Sequence, residues 1–251
     1  MEQSIKIMVG RIAGILESNN PSIFLIGSVV LDDFKLGWSD IDFICLTEKT
    51  IKNEQADELV NLRQTLLAEY PGDKYFRLFE GIMLTLQAFI NNEEDTVVYW
   101  GTSGQRRINY GSLCAFGKIV LLESGRLLFG NDFRYLISYP TRAKIVEAIK
   151  QAYENINTSG IEYPGGGWLL DIARCLYTLK TNKVIAKTKA GEWVIEENLC
   201  PDIAVMEKVV EIRKNPLKLK NSEETKQWEK TLAPYTQKFV DILKAELRTT
   251  V

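Results

Sequence analysis

The chain has no histidine in 251 residues, and no other compositional fact excludes as much. Without an imidazole it cannot build a Ser-His-Asp or Cys-His site, an HExxH zinc site or a phosphohistidine relay of its own. Acid–base chemistry is left to Asp, Glu, Lys, Tyr or Cys. Cysteine is scarce as well. Cys45, Cys114, Cys175 and Cys200 are far apart and form no CxxC pair, so neither a disulfide framework nor a zinc cluster is expected. Cys45 and Cys175 lie in apolar runs that suit buried thiols. No apolar run approaches the roughly 18 residues a membrane span needs, and the stretch in MEQSIKIMVGRIAGILES is too short for a signal peptide. Neither charge is in excess: 31 Lys+Arg stand against 33 Asp+Glu, which leaves no basic footprint for nucleic acid and no polybasic membrane patch. A cytoplasmic, monomeric protein that binds neither nucleic acid nor membrane is expected.

What is present is globular material, 45% hydrophobic and 25% charged, sufficient for one large domain or two of ordinary size. Apolar positions at helical spacing run through Ile5, Met8, Ile12 and Leu16, and Asn19-Asn20-Pro21 ends that helix. Strands are predicted over 22–26, 41–46 and 79–89, with an amphipathic helix over 53–70 closed by Pro71-Gly72. From about Ser112 the pattern is mainly helical. Helices are predicted from Pro140 to Ile156 and over 168–181, 188–197, 202–213 and 222–248, the last kinked at Pro234. The expected division is an α/β domain over 1–135, with a mixed sheet, and an all-α domain over 136–251.

One stretch carries chemistry. Gly27-Ser28 closes a strand, ten residues follow, and then comes Ser39-Asp40-Ile41-Asp42. Asp40 and Asp42, two apart on an extended segment, leave by the same face. Two neighbouring carboxylates repel, and a hard divalent cation such as Mg²⁺ resolves the conflict. Glycine before serine at a strand end turns the backbone and offers N–H groups and a hydroxyl to a phosphate. Phosphate, metal and acid pair together point to phosphoryl or nucleotidyl transfer. A solvated turn is the bland alternative for either motif alone.

These residues resemble the GS…SDxD pattern of the nucleotidyltransferase superfamily that includes DNA polymerase beta. The second half narrows the resemblance. Leu169-Leu170-Asp171-Ile172-Ala173-Arg174, Tyr177-Thr178 and the run from Ile185 to Trp193 are similar to the helical C-terminal domain of aminoglycoside nucleotidyltransferases of the streptomycin/spectinomycin adenylyltransferase type. Leu127-Leu128-Phe129-Gly130 fits their interdomain segment. The resemblance covers roughly residues 20–215. It implies that Asp40 and Asp42 hold Mg²⁺, that Gly27, Ser28 and Ser39 grip the phosphates of ATP, and that Glu80 is the general base. Arg174 and Lys187 would add phosphate contacts from the second domain. A small cationic acceptor rich in hydroxyls, an aminoglycoside or aminocyclitol antibiotic, would receive AMP, conferring resistance; Trp100, Trp168 and Asp171 are candidates for its pocket, with Glu162 and Tyr163 near them. For Arg174 the bland alternative is an i,i+3 pair with Asp171.

The sequence also departs from the resistance enzymes. Gly81 stands where they carry a β-branched residue, and Tyr99-Trp100-Gly101-Thr102-Ser103-Gly104 lacks their Gly-Glu-Trp. Gly160 and Pro164-Gly165-Gly166-Gly167 stand where they place acids. Two rivals follow: the same chemistry on another small-molecule or protein acceptor, and a nucleotide-binding sensor without turnover.

Overall fold

The structure, a computed structural model, describes residues 1–101 and 104–250, the side chain of Thr250 aside. Thr102 and Ser103, within the segment that lacks the Gly-Glu-Trp, lie outside the described residues. The chain divides into two compact units, Met1–Val30 with Asp40–Tyr139, and Leu31–Ser39 with Pro140–Val251. The expected domains were contiguous, 1–135 and 136–251. Instead Leu31–Ser39, most of the loop between Ser28 and Asp40, belongs with the helical unit.

The first unit is α/β. Helix α1 (Glu2–Ile15) buries Ile5, Met8, Val9, Ile12 and Ala13, one stripe at helical period. Asn20 then takes a left-handed conformation that turns the chain into β1 (Pro21–Leu25). β2 (Ile41–Thr47), α2 (Asn53–Glu69) and β3 (Phe79–Thr85) follow. The strand expected to reach Phe89 stops at Thr85, whose hydroxyl accepts from Ala88 N–H and caps α3 (Leu86–Asn91). A hairpin, β4 (Val97–Gly101) and β5 (Gly104–Ile108), then α4 (Ala115–Ser124) and β6 (Arg126–Phe129) complete the unit. These last three strands were not foreseen from the sequence.

The six strands form one mixed sheet in the order β5-β4-β3-β2-β1-β6. β2 and β3 are its parallel pair, and the other neighbours are antiparallel. β1 and β2 are buried almost throughout, as inner strands should be. The outer strand β5 instead carries exposed Arg106 and Arg107, which discourage further pairing at that edge.

The second unit is helical: α5 (Arg142–Asn155), α6 (Gly166–Thr181), α7 (Lys187–Glu196), α8 (Ile203–Lys214), α9 (Pro216–Leu219), α10 (Glu223–Glu229) and α11 (Ala233–Thr250). Pro140, expected in the first turn, precedes α5, and Thr141 caps the helix. The long helix expected over 222–248 is broken rather than kinked, because Pro234 sits in the first turn of α11, where its missing N–H costs nothing. α6 is the core helix and buries Leu169, Leu170, Ile172, Ala173, Leu176 and Leu179 against α5, α7 and α11. Tyr177 meets Trp193 edge to face at 5.2 Å, so these two motif aromatics pack α6 against α7. Among the described residues no helix is long and apolar enough to cross a membrane.

Candidate functional site

In the first unit the chemistry gathers at one end of β1, β2 and β3. Ile26 N–H donates to Asp42 O at 2.9 Å and carries the β1–β2 pairing past the strand end. Gly27 then turns with φ +69°. A Cβ at this position would collide with the Asp42 carboxylate, 2.7 Å from its Cγ, so only glycine lets the backbone lie against that acid. Ser28 Oγ donates to Asp40 O at 3.3 Å, which ties the serine to the acid pair. Asp42 and Glu80 are register partners in the parallel β2–β3 pair and so share one face of the sheet. Gly27, Ser28, Asp40, Asp42 and Glu80 are all partly exposed.

The departure at Gly81 has a physical cause. Gly81 pairs with Phe43, and a Cβ there would strike the Phe43 carbonyl and lie 2.8 Å from its ring. The β-branched residue of the resistance enzymes therefore has no room here.

Nothing in the local pattern singles out Arg63. It lies on α2, reads as part of a solvent face, and is only 7% exposed. Its guanidinium donates to Phe79 O at 3.0 Å and Gly101 O at 3.1 Å, bracing the strand end that carries Glu80. Burial lowers its pKa, against the pull of the nearby Glu80 and Asp40 charges.

In the second unit Asp171, Arg174 and Lys187 form one cluster. Arg174 Nη2 lies 3.0 Å from Asp171 Oδ1, and Lys187 Nζ lies 2.9 Å from Oδ1 and 3.0 Å from Oδ2. The three side chains are 24–27% exposed. Burial would raise the Asp171 carboxyl, but Lys187 and Arg174 outweigh it and hold it below the usual carboxylate range. The i,i+3 pair is present, and it takes in Lys187 as well. Trp168 is half-buried, with its indole N–H donating to Tyr163 O at 3.0 Å, while Tyr163 is exposed.

Two expectations need correcting. Trp100 is no pocket residue: it is fully buried, edge-on to Phe43 at 5.6 Å, with its indole N–H donating to Leu59 O at 2.9 Å. Ser39 is 6% exposed and its Oγ accepts from Lys35 N–H at 3.1 Å, so it closes its own loop rather than facing a ligand.

Asp40 and Asp42 could share a divalent cation. Among the described residues no three acidic, Cys or His groups form a metal centre by themselves. An ion held by this pair would complete its shell with water or phosphate oxygens, the usual habit of Mg²⁺. Gly27→Ala tests the close approach to the pair: the forced φ and the collision are expected to cost about 2–4 kcal/mol of stability. Urea unfolding measures it, and wild-type stability would mean that Asp42 moves aside freely.

Residues 137–245 match the family model for the C-terminal domain of aminoglycoside adenylyltransferases. No curated protein matches the chain in sequence. Among solved structures, the spectinomycin adenyltransferase AAD(9) from Enterococcus faecialis, determined with ATP and spectinomycin, shares the fold with a TM-score of 0.64. That likeness covers 97% of this chain and 99% of that one at 18% identity.

Proposed function

We propose that the chain is a nucleotidyltransferase of the aminoglycoside adenylyltransferase type, which moves AMP from ATP to a hydroxyl of an aminoglycoside or aminocyclitol and releases pyrophosphate; the match of residues 137–245 to that family's C-terminal domain supports the reading. The observation that carries the reading is the β2–β3 register, which sets Asp42 beside Glu80 with the Gly27-Ser28 turn against Asp42. The donor set fits Mg²⁺: oxygen ligands only, on neighbouring carboxylates, with a glycine keeping the space open. Bound there, the ion would offset phosphate charge and polarise the α-phosphoryl group.

The chain's own residues do the rest in this reading. Gly27 and Ser28 bind the β- and γ-phosphates through backbone N–H groups and the serine hydroxyl. Glu80 accepts the proton of the acceptor hydroxyl as its oxygen bonds to the α-phosphorus and the α–β phosphoanhydride bond breaks. Arg174 and Lys187 contact the nucleotide phosphates, and Asp171 orients both cations until the phosphates arrive. Trp168 and Asp171 remain candidates for the acceptor side.

One observation favours a different acceptor. Gly160 stands where the resistance enzymes carry an acid, and a Cβ there would lie 3.1 Å from both Trp168 and Ile156. An acid could not enter without moving the indole, so one anchor for a drug ammonium is missing. Another hydroxylated metabolite is the second reading.

Pyrophosphate release decides between them. ATP and Mg²⁺ would be mixed with streptomycin, spectinomycin, kanamycin, lincomycin or no acceptor, with a chelator control. Release with one drug, abolished by the chelator, supports the first reading. Silence with every drug while ATP still binds calorimetrically supports the second. Absence of ATP binding overturns the reading as a nucleotidyl transfer from ATP.

A further inference from the structure

The loop between Ser28 and Asp40 holds a buried charge that neither the motifs nor the proposed chemistry uses. Asp33 is 4% exposed and Arg213, on α8, is 3% exposed in its side chain. Arg213 Nη2 donates to Asp33 Oδ2 at 2.8 Å, Nε donates to the same oxygen at 3.3 Å, and Nη2 also reaches Asp33 O at 3.3 Å. On the carboxylate's other side, Thr188 Oγ1 donates to Oδ1 at 2.6 Å and Thr188 N–H donates to Oδ2 at 3.3 Å. Thr188 is the second residue of α7, whose first residue is Lys187. The helix has no side-chain cap of its own, so a carboxylate from some 155 residues earlier satisfies one of its exposed N–H groups.

The rest of the loop is held to the same unit. The Trp38 ring lies 5.5 Å from the Arg213 guanidinium and 4.8 Å from Lys220 Nζ, and that ammonium donates to Gly37 O at 3.2 Å. Burial would raise the Asp33 carboxyl, but the Thr188 hydroxyl and the Arg213 guanidinium outweigh it and keep it in the charged form.

We infer that Asp33 is a positioning residue for nucleotide binding: with Arg213 and Thr188 it clamps the segment joining Ser28 to Asp40 onto the start of α7, beside Lys187. A surface loop would not require a desolvated ion pair, since such pairs rarely add net stability over an apolar pair of similar volume. Here the pair fixes two things at once. It sets the first turn of α7, from which Lys187 projects, and it holds a chain segment whose two ends run directly into the phosphate-gripping serine and the first acid of the Asp40–Asp42 pair. The inference rests on the proposed nucleotide chemistry, because Lys187 and Ser28 take their roles from it.

The test separates positioning from packing with two variants. Asp33→Asn breaks the charge pair and is expected to unfold at lower urea. Asp33→Leu with Arg213→Met replaces it by apolar volume and is expected to keep or raise the urea midpoint. Both are expected to bind ATP at least about tenfold more weakly than wild type, since misplacing a binding group by about an ångström costs that much or more. In the double variant, amide hydrogen exchange is expected to quicken at 31–39 and 187–190 together, with the rest of the helical unit unchanged. A double variant with wild-type midpoint, ATP affinity and exchange would overturn the inference and leave the nucleotide reading intact. Wild-type protein that does not bind ATP at all overturns both.

Discussion

Asp42→Asn is expected to remove at least about 10³-fold of turnover, because a metal that neutralises transferring phosphoryl oxygens supplies several kcal/mol of barrier lowering, and each 1.4 kcal/mol is tenfold. The fold is expected to hold. Asp42 lies beside Glu80 in the parallel β2–β3 register, and two like charges side by side repel. Removing one of the two charges should therefore leave the urea midpoint in chelator unchanged or slightly raised. Activity lost at undiminished stability marks a residue retained for chemistry. The opposite pattern, turnover near wild type with stability lost, would make Asp42 a structural acid and remove the metal role. Asp40→Asn is expected to lose turnover in the same way, since Asp40 is the other carboxylate proposed to hold the ion.

The parts of this site that could be read from the sequence are the ones that local pattern encodes. Gly27-Ser28 and Asp40-Ile41-Asp42 flank short apolar runs, and a strand's period of two fixes which way their side chains go. The helical unit was readable for the same reason, because the buried positions of α6 recur at helical period. What escaped depends on partners distant in sequence. Asp33 looks like one more polar loop residue beside Asp32, yet it is buried, and its partners are Thr188 and Arg213, 155 and 180 residues later. Arg63 sits among Asn61 and Gln64 on an amphipathic helix, and its ligands are carbonyls on two strands.

Strands β4, β5 and β6 were missed because they are only four or five residues long, and β5 is nearly all polar. The error at Trp100 follows from that one. An aromatic near a suspected pocket reads as a binding surface. Once Val97–Gly101 is a strand lying between β3 and β5, the indole becomes core packing against Phe43 and α2.

Glu80→Gln is expected to lower kcat by about 10²- to 10⁴-fold, the usual contribution of a positioned general base. Glutamine keeps the side-chain volume and an acceptor oxygen but cannot take a proton near neutral pH. Binding should be spared: ATP affinity is expected to stay within about twofold, because the lost interaction is one made only as the acceptor hydroxyl ionises. The surroundings sharpen the expectation. Arg63 braces the Phe79 and Gly101 carbonyls and lies close enough for its charge to interact with Glu80. The isosteric change therefore leaves the strand end held by Arg63 while removing the proton acceptor and its charge. Rapid-mixing measurement of a single turnover separates this from slow product release. A variant whose single-turnover rate matches wild type would move the base elsewhere, and one that loses ATP affinity in step with rate would make Glu80 a binding residue instead.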